Sequence, residues 1–328
     1  MKRLLFALMI ACTAVPAASQ PIAKADREQV VDGIARLLEA RYVDADKGKR
    51  LAAELRRSKS EWRESNDAGS FAKALTDWLR RASGDGHFAV DYSARPINEN
   101  GGEGQFFEAE IERYYGAHVN HGVNKIERLD GNIMLVDLRV FPPPAMGGDV
   151  ISAMMTVAAQ GDALILDLRK NGGGMDSGDL IISQLVSEGS PLSGVYDRPS
   201  DVLKTHVSPA PAAGRRFGEN KPVYILTSKR TFSAAEALAY DLQALKRATI
   251  VGEVTGGGAN PFEYRSVHPH FALSLPEKRS VNPITRTNWQ DVGIKPDVEV
   301  PADKALETAL ALAREALDSA APTAAGRD

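Results

Sequence analysis

The stretch Lys221–Pro261, K-P-V-Y-I-L-T-S-K-R-T-F-S-A-A-E-A-L-A-Y-D-L-Q-A-L-K-R-A-T-I-V-G-E-V-T-G-G-G-A-N-P, reads as strand, tight turn, helix, strand and glycine-rich loop. Val223–Leu226 is a short apolar run rich in strand formers. Ala234, Leu238, Leu242 and Leu245 recur at helical spacing, so the segment from Ser233 to Leu245 is expected to be a helix. With Thr231 as N-cap, Ser233 falls in the first turn, beside free backbone N–H groups and the positive end of the helix dipole. A hydroxyl there can act as a nucleophile next to oxyanion donors. The same position also suits a serine that does nothing but cap a helix.

Working outward, the 328-residue chain is long enough for one large or two modest domains. Its composition, 43% apolar and 25% charged, excludes wholesale disorder. A net charge of −3 without a long basic block argues against a nucleic-acid partner. Lys2 and Arg3, the apolar run Leu4–Val15 and the small residues Ala17–Ser19 read as a secretory signal peptide over residues 1–19, cut before Ala18 or Gln20. The run is too short to span a bilayer. The chain's one cysteine, Cys12, lies inside it, so the mature chain is expected to carry no disulfide. Ile10-Ala11-Cys12 also resembles the end of a lipoprotein cleavage site, which gives a second reading: a lipid anchor at Cys12 on a membrane surface.

Asp26–Val43 reads as an amphipathic helix with an Asp26/Gln29 capping box; Lys47–Arg57 and Ser70–Ala82 follow as helices, the last capped by Ser70. Ser70-Phe71-Ala72-Lys73 matches S-x-x-K, but no K-T-G or S-D-N follows it. The expected layout is a helical N-terminal domain over 20–90, a linker with connecting strands over 91–125, an α/β core over 126–320 and a frayed tail over 321–328. In the core, Asn132–Val140, Ala163–Leu168 and Val298–Val300 are expected strands, with Ala302–Leu317 a closing helix. The near-continuous apolar run Ala163–Leu168 argues for a strand covered on both faces.

Two glycine-rich turns follow buried strands. Asn171–Gly174 lets backbone N–H groups approach a ligand, as an oxyanion hole or a phosphate cradle. It is not G-x-G-x-x-G, and Thr231–Ala235 is not G-x-S-x-G, which argues against dinucleotide binding and against the usual nucleophile elbow of the α/β-hydrolases. Among the histidines, His87 stands in Asp85-Gly86-His87 at the seam between domains. His268-Pro269-His270 lacks further ligands at metal spacing and reads as a hairpin turn; no metal and no cofactor are expected.

D-L-R-K-N-G-G-G, T-S-K-R-T-F-S-A-A-E, G-E-V-T-G-G-G-A-N-P and N-W-Q-D-V-G-I-K-P-D-V occur in this order over Leu164–Val298. Together they resemble the tail-specific (C-terminal processing) and tricorn-core serine peptidases, nearest to the branch holding the repeat of interphotoreceptor retinoid-binding protein. The N-terminal helices and G-D-G-H resemble that branch as well. The resemblance implies an α/β fold, a crotonase/ClpP-like ββα core beside a small helical N-terminal domain. It implies Ser233 as nucleophile, His87 as base, and Gly173 with the Ala234 N–H as oxyanion hole. Glu236, in S-A-x-E, is implied to order the turn or bind a peptide terminus.

The chain departs from that pattern in several places. Gly258 stands where tail-specific enzymes carry their lysine, so the base must come from elsewhere. Gly86 replaces the serine that tricorn-like enzymes place before the histidine, and Gln290 replaces an acidic residue, with Asp291 one position on. Gln290 is then the expected third catalytic residue, an amide that orients a histidine without stabilising the imidazolium. About forty residues between His87 and the core leave no room for a PDZ module. The expected function is an exported serine-type peptidase acting on peptides or proteins. The alternative is a catalytically weak or inactive binding protein for a small apolar ligand. The distance from the Ser233 hydroxyl to the His87 ring discriminates the two.

Overall fold

The computed structural model describes residues 20–58, 61–97, 111–211 and 214–320. The signal-peptide segment, Cys12, part of the linker and the expected frayed tail lie outside the described residues. No helix among the described residues is long and apolar enough to cross a membrane.

The chain is mixed α/β, as the sequence implies. The core is a six-stranded sheet of β2 (Val123–Leu129), β3 (Ile133–Leu138), β4 (Ala163–Asp167), β7 (Val223–Thr227), β8 (Thr249–Gly252) and β12 (Val298–Glu299). Their spatial order is β12-β8-β7-β4-β3-β2. Every pair is parallel except β2 with β3. Alternation along the strands sends side chains to two separate cores. Met134, Val136, Leu164, Leu166, Val223 and Ile225 face one layer, which contains α4 (Pro144–Ala158), α5 (Gly178–Leu185) and α6 (Ala234–Ala244). Ile133, Leu135, Ile165, Tyr224, Leu226 and Val251 face α7 (Ala305–Ala320), whose buried Ala305, Ala309 and Ala313 repeat every four residues. Alanine at that spacing lets the helix lie close on the sheet. Coverage on both faces explains why β4 and β7 read as unbroken apolar runs.

A second core joins α1 (Lys24–Arg41), α2 (Ala45–Arg57) and α3 (Ala68–Ser83) to β1 (Ala89–Tyr92). Strand β1 pairs antiparallel with β10 (Phe271–Pro276), itself the partner of β9 (Phe262–His268). Phe271, Leu273 and Leu275 of β10 are buried among the helices. Residues 262–276, expected inside the core over 126–320, thus pack with the N-terminal helices. Hydropathy along β10 shows that one face is buried, but it cannot name the layer that buries it. Glu277 fastens the two regions: its fully buried carboxylate accepts paired hydrogen bonds from Arg41 of α1 and Arg265 of β9, at 2.7–2.9 Å. A third small sheet, in the order β11-β5-β6, holds β5 (Pro191–Asp197), β6 (Val202–Val207) and β11 (Lys278–Val281).

Helix ends differ from expectation. Asp26 does not cap α1; Ala23 takes that position without a side-chain bond, and Asp26 lies in the first turn. Ser70 lies inside α3, where its N–H donates to the true cap, Asp67. Asp67 and Ser70 are both good capping residues, and only the chain path chooses between them.

Candidate active site

Ser233 is itself the N-cap of α6, not a first-turn residue. Thr231, the expected cap, accepts from the Ser228 N–H and donates to the Leu168 carbonyl at 2.9 Å, tying the turn to the end of β4. The Ser233 backbone adopts φ 54° and ψ −121°. A non-glycine residue there stores strain and persists only where its surroundings hold it. Glu236 does much of the holding. Its buried carboxylate accepts from the N–H groups of Ser233 (2.8 Å), Gly257 (2.7 Å) and Gly258 (2.8 Å), and from the Thr255 hydroxyl at 2.5 Å. Burial pushes the Glu236 carboxyl above its ordinary value, against the pull of these donors. The sharp strand-to-helix turn of a nucleophile elbow is thus present although G-x-S-x-G is absent. Glycines normally give such a turn its room; here a carboxylate and the adjoining loop pin it.

His87 arrives from the other region. Gly84, left-handed at φ 73°, ends α3, and its N–H donates to the Arg80 carbonyl. The next three residues turn back so that His87 Nε2 lies 2.9 Å from Ser233 Oγ. Phe232 and Phe262 pack around the imidazole, with ring centroids 4.7 and 5.8 Å away.

The group at the other ring nitrogen is Asp85, not Gln290. Asp85 is fully buried. Its Oδ1 accepts from the His87 backbone N–H at 3.0 Å and lies 3.3 Å from His87 Nδ1, while Oδ2 accepts from Asn260 Nδ2 at 2.9 Å. Burial pushes the carboxyl up, but hydrogen bonds and charge from His87, helped by Asn260, hold it below the ordinary aspartate value. The Tyr42 hydroxyl is pushed far up by burial and by the Asp85 charge. A proton on Nδ1 facing Asp85 leaves Nε2 as the acceptor for the Ser233 hydroxyl.

Gln290 instead accepts from the Ala259 N–H at 2.7 Å and donates to Asp291 Oδ1 at 2.7 Å. Asp291 is exposed, 3.8 Å from Lys47. With Trp289 Nε1 donating to the Gly258 carbonyl at 2.9 Å, the N-W-Q-D segment braces the glycine-rich loop and does not reach the imidazole. The expectation for Gln290 followed a motif in which the acid lies far along the chain; here the acid lies two residues before the histidine. An aspartate in a G-D-G-H turn, where its side chain can reach backbone two residues on, was the available signal.

The N–H groups left free beside Ser233 also differ by one residue from those expected. Gly173 N–H, the expected donor, is engaged with Asn171 Oδ1 at 2.8 Å. Gly174 N–H and Ala234 N–H have no acceptor among the described residues. Asn171, fully buried, also donates to the Leu138 carbonyl, and its own carbonyl accepts from Phe232 N–H. It therefore locks the glycine loop against the serine turn. A Cβ on Gly173 would lie 2.8 Å from Ser233 Cβ and 2.9 Å from Ala234 N, so glycine is needed for that approach. Gly258 is constrained in the same way: a Cβ there would lie 2.2 Å from Phe232 Cζ and 2.8 Å from His87 Cε1. The imidazole and the Phe232 ring occupy the space that a lysine at this position would need.

Ser233, His87, Gly174 and Ala234 open onto a cavity of about 570 Å³ that runs on between α5, α6 and β5. A serine hydroxyl on an elbow, an imidazole within hydrogen-bond reach and two free N–H groups beside a cleft define a serine hydrolase arrangement. Residues 133–300, just over half the chain, match the model of peptidase family S41. The chain belongs to peptidase family S41 and is a serine-type peptidase. Three solved structures share its fold. A candidate peptidase from Parabacteroides merdae is 20% identical, with 91% of this chain and 99% of that one covered and a TM-score of 0.61. A lipoprotein from Streptococcus agalactiae is 17% identical over 92% and 100%, TM-score 0.57. The photosystem II D1 C-terminal processing protease is 16% identical over 86% and 94%, TM-score 0.50.

Proposed function

We propose that this peptidase cleaves peptide bonds through Ser233 with His87 as base and Asp85 as its orienting acid, and that it works outside the cytoplasm. The observation that carries the catalytic reading is the 2.9 Å separation of Ser233 Oγ and His87 Nε2 across 146 residues of chain. Ser233 Oγ attacks the scissile carbonyl while His87 Nε2 takes its proton. The tetrahedral oxyanion is held by the N–H groups of Gly174 and Ala234, and the imidazolium is stabilised by the Asp85 carboxylate. His87 returns the proton to the leaving amine. Water, deprotonated by the same imidazole, then releases the acyl group from Ser233. Glu236 and Asn171 hold the nucleophile and the glycine loop in position without touching the reacting atoms.

A coupled serine and histidine favour this reading over an inactive apolar-ligand scaffold. The test is labelling with a fluorophosphonate, followed by peptide mapping. The modified residue is expected to be Ser233, with labelling and hydrolysis absent in Ser233→Ala and His87→Ala. A folded protein that is not labelled and that cleaves no peptide in a broad panel would sink the reading. Export rests on residues 1–19. The mass of the mature N-terminus distinguishes cleavage before Ala18 or Gln20 from a lipid-modified Cys12.

A further inference from the structure

The cavity beside Ser233 is walled along one side by a single face of α6. Ala237 and Asp241 follow Ser233 at intervals of four residues, and both line the cavity. Asp241 is 5% exposed. Its Oδ1 is heavily committed, accepting from Ser193 Oγ (2.5 Å), Ser193 N–H (3.0 Å) and Asn282 Nδ2 (2.9 Å). Its Oδ2 has only the long, shared contact of 3.2 Å with Ser193 N–H. Among the described residues Asp241 has no ion-pair partner. None of the charged groups around it bonds to it: burial pushes the Asp241 carboxyl above its ordinary value, against the pull of the Ser193 and Asn282 donors and of the His206 charge. His206, on the edge strand β6, bonds Asp179 at 3.0 Å. Lys204, on the same strand, is exposed and lends its charge to Asp197. Asp176 and Asp179 add further negative charge to the cavity wall.

We propose that Asp241 is the base of the pocket for the substrate side chain preceding the scissile bond, and that this side chain is a lysine or arginine. The inference rests on the catalytic reading above and names the substrate class for it. Asp241 lies eight residues after Ser233, a rise of about 12 Å along the helix axis. With a carbonyl carbon about 3 Å from Ser233 Oγ, an extended lysine or arginine side chain spans that gap and ends at hydrogen-bond distance from the carboxylate. Shorter acidic or polar side chains do not reach it. Val195, Ile182 and Leu238 line the way and suit the methylene stem. Ser193 and Asn282 bond the carboxylate and Ser280 lines the same cavity, which fits a charged terminus better than an apolar one. A buried carboxylate with no bonded cation is an incomplete ion pair, and a substrate ammonium or guanidinium completes it and favours the charged carboxylate.

The test uses the mature enzyme and fluorogenic tripeptides that differ only in the residue before the scissile bond: lysine, arginine, leucine or glutamate. The wild type is expected to prefer lysine and arginine over leucine by at least about tenfold in kcat/KM. Asp241→Asn is expected to cut the lysine-to-leucine ratio of kcat/KM by about tenfold or more, a ratio taken within one protein and so independent of any general loss of activity. Agmatine at millimolar concentration should slow fluorophosphonate labelling of Ser233 in the wild type but not in Asp241→Asn. This readout needs no turnover, and the wild-type panel stands even where the variant is unstable. Labelling and cleavage with leucine or glutamate preferred would overturn the inference alone, leaving Asp241 as a tie between β5 and α6. No labelling and no cleavage would overturn the catalytic reading, and this inference with it.

Discussion

Asp85→Asn separates the site seen in the fold from the one expected at Gln290. The carboxylate faces donors on both oxygens: the His87 N–H and ring Nδ1 on one, Asn260 Nδ2 on the other. An asparagine can satisfy only one side. If its NH₂ faces His87, two donors oppose each other and Nδ1 must give up its proton. Nε2 then carries the proton and cannot accept the Ser233 hydroxyl. If its NH₂ faces Asn260, donor again meets donor unless Asn260 flips, and the imidazolium still loses its counter-charge. The analogous change in other serine hydrolases costs about 10⁴ in kcat through the wrong tautomer. A fall of about 10³–10⁴ is expected here, or about 4–5.5 kcal/mol of transition-state stabilisation. KM should move little, because Asp85 is fully buried and does not line the cavity. The assay is steady-state cleavage of a fluorogenic peptide, with circular dichroism and a thermal melt to confirm the fold. Gln290→Ala, which removes the acceptor for Ala259 N–H and the exposed bond to Asp291 but nothing that touches His87, should lose less than about tenfold. A folded Asp85→Asn enzyme within tenfold of wild type, or a Gln290→Ala loss larger than that of Asp85→Asn, would refute the assignment.

Gly258→Lys is expected to abolish hydrolysis and not to create a serine–lysine pair, since even a Cβ at this position lies 2.8 Å from His87 Cε1; peptide turnover and thermal melting together check this. Asn171→Ala should lower stability by about 1–3 kcal/mol in urea titration, because it leaves the Leu138 carbonyl and Gly173 N–H without their partner, and should reduce kcat more than KM. Glu277→Gln should cost about 3 kcal/mol by breaking the buried link between Arg41 and Arg265. Burial pushes Glu277 up, but the two guanidinium groups hold it below its ordinary value of 4.5. The stability it contributes is therefore fully present above about pH 4.5 and lost as pH falls through the lower folded value. The wild type should lose stability more steeply than Glu277→Gln on acidification below pH 4.5; parallel acid-unfolding curves would contradict this.

The legible parts of the site were those carried by short segments. Ser233, Glu236 and Ala234 lie within four residues, at a strand-to-helix turn readable from Val223–Leu226 and the apolar spacing that follows. Gly258 in the sequence excludes a lysine there, and the structure gives the physical reason: Phe232 and His87 fill that space. Asp85 is legible only in part: turn chemistry in G-D-G-H favours a bond from the His87 N–H to its carboxylate, but it does not say that the same oxygen also faces the ring. The shift from Gly173 to Gly174 was equally hidden. Which glycine N–H is free depends on where the Asn171 side chain points.

The amino-acid sequence by itself determined the α/β class, the buried parallel strands and the peptidase family, because periodicity and local turn chemistry act over a few residues and survive in the linear order. Tertiary structure alone decided the partners of those segments. It placed β10 against the N-terminal helices, set His87 on Ser233, gave Asp85 the place expected for Gln290, and lined a cavity with Asp241. Each of these is a contact between residues whose side chains meet only after the layers pack, and neither hydropathy nor spacing along the chain encodes that meeting directly.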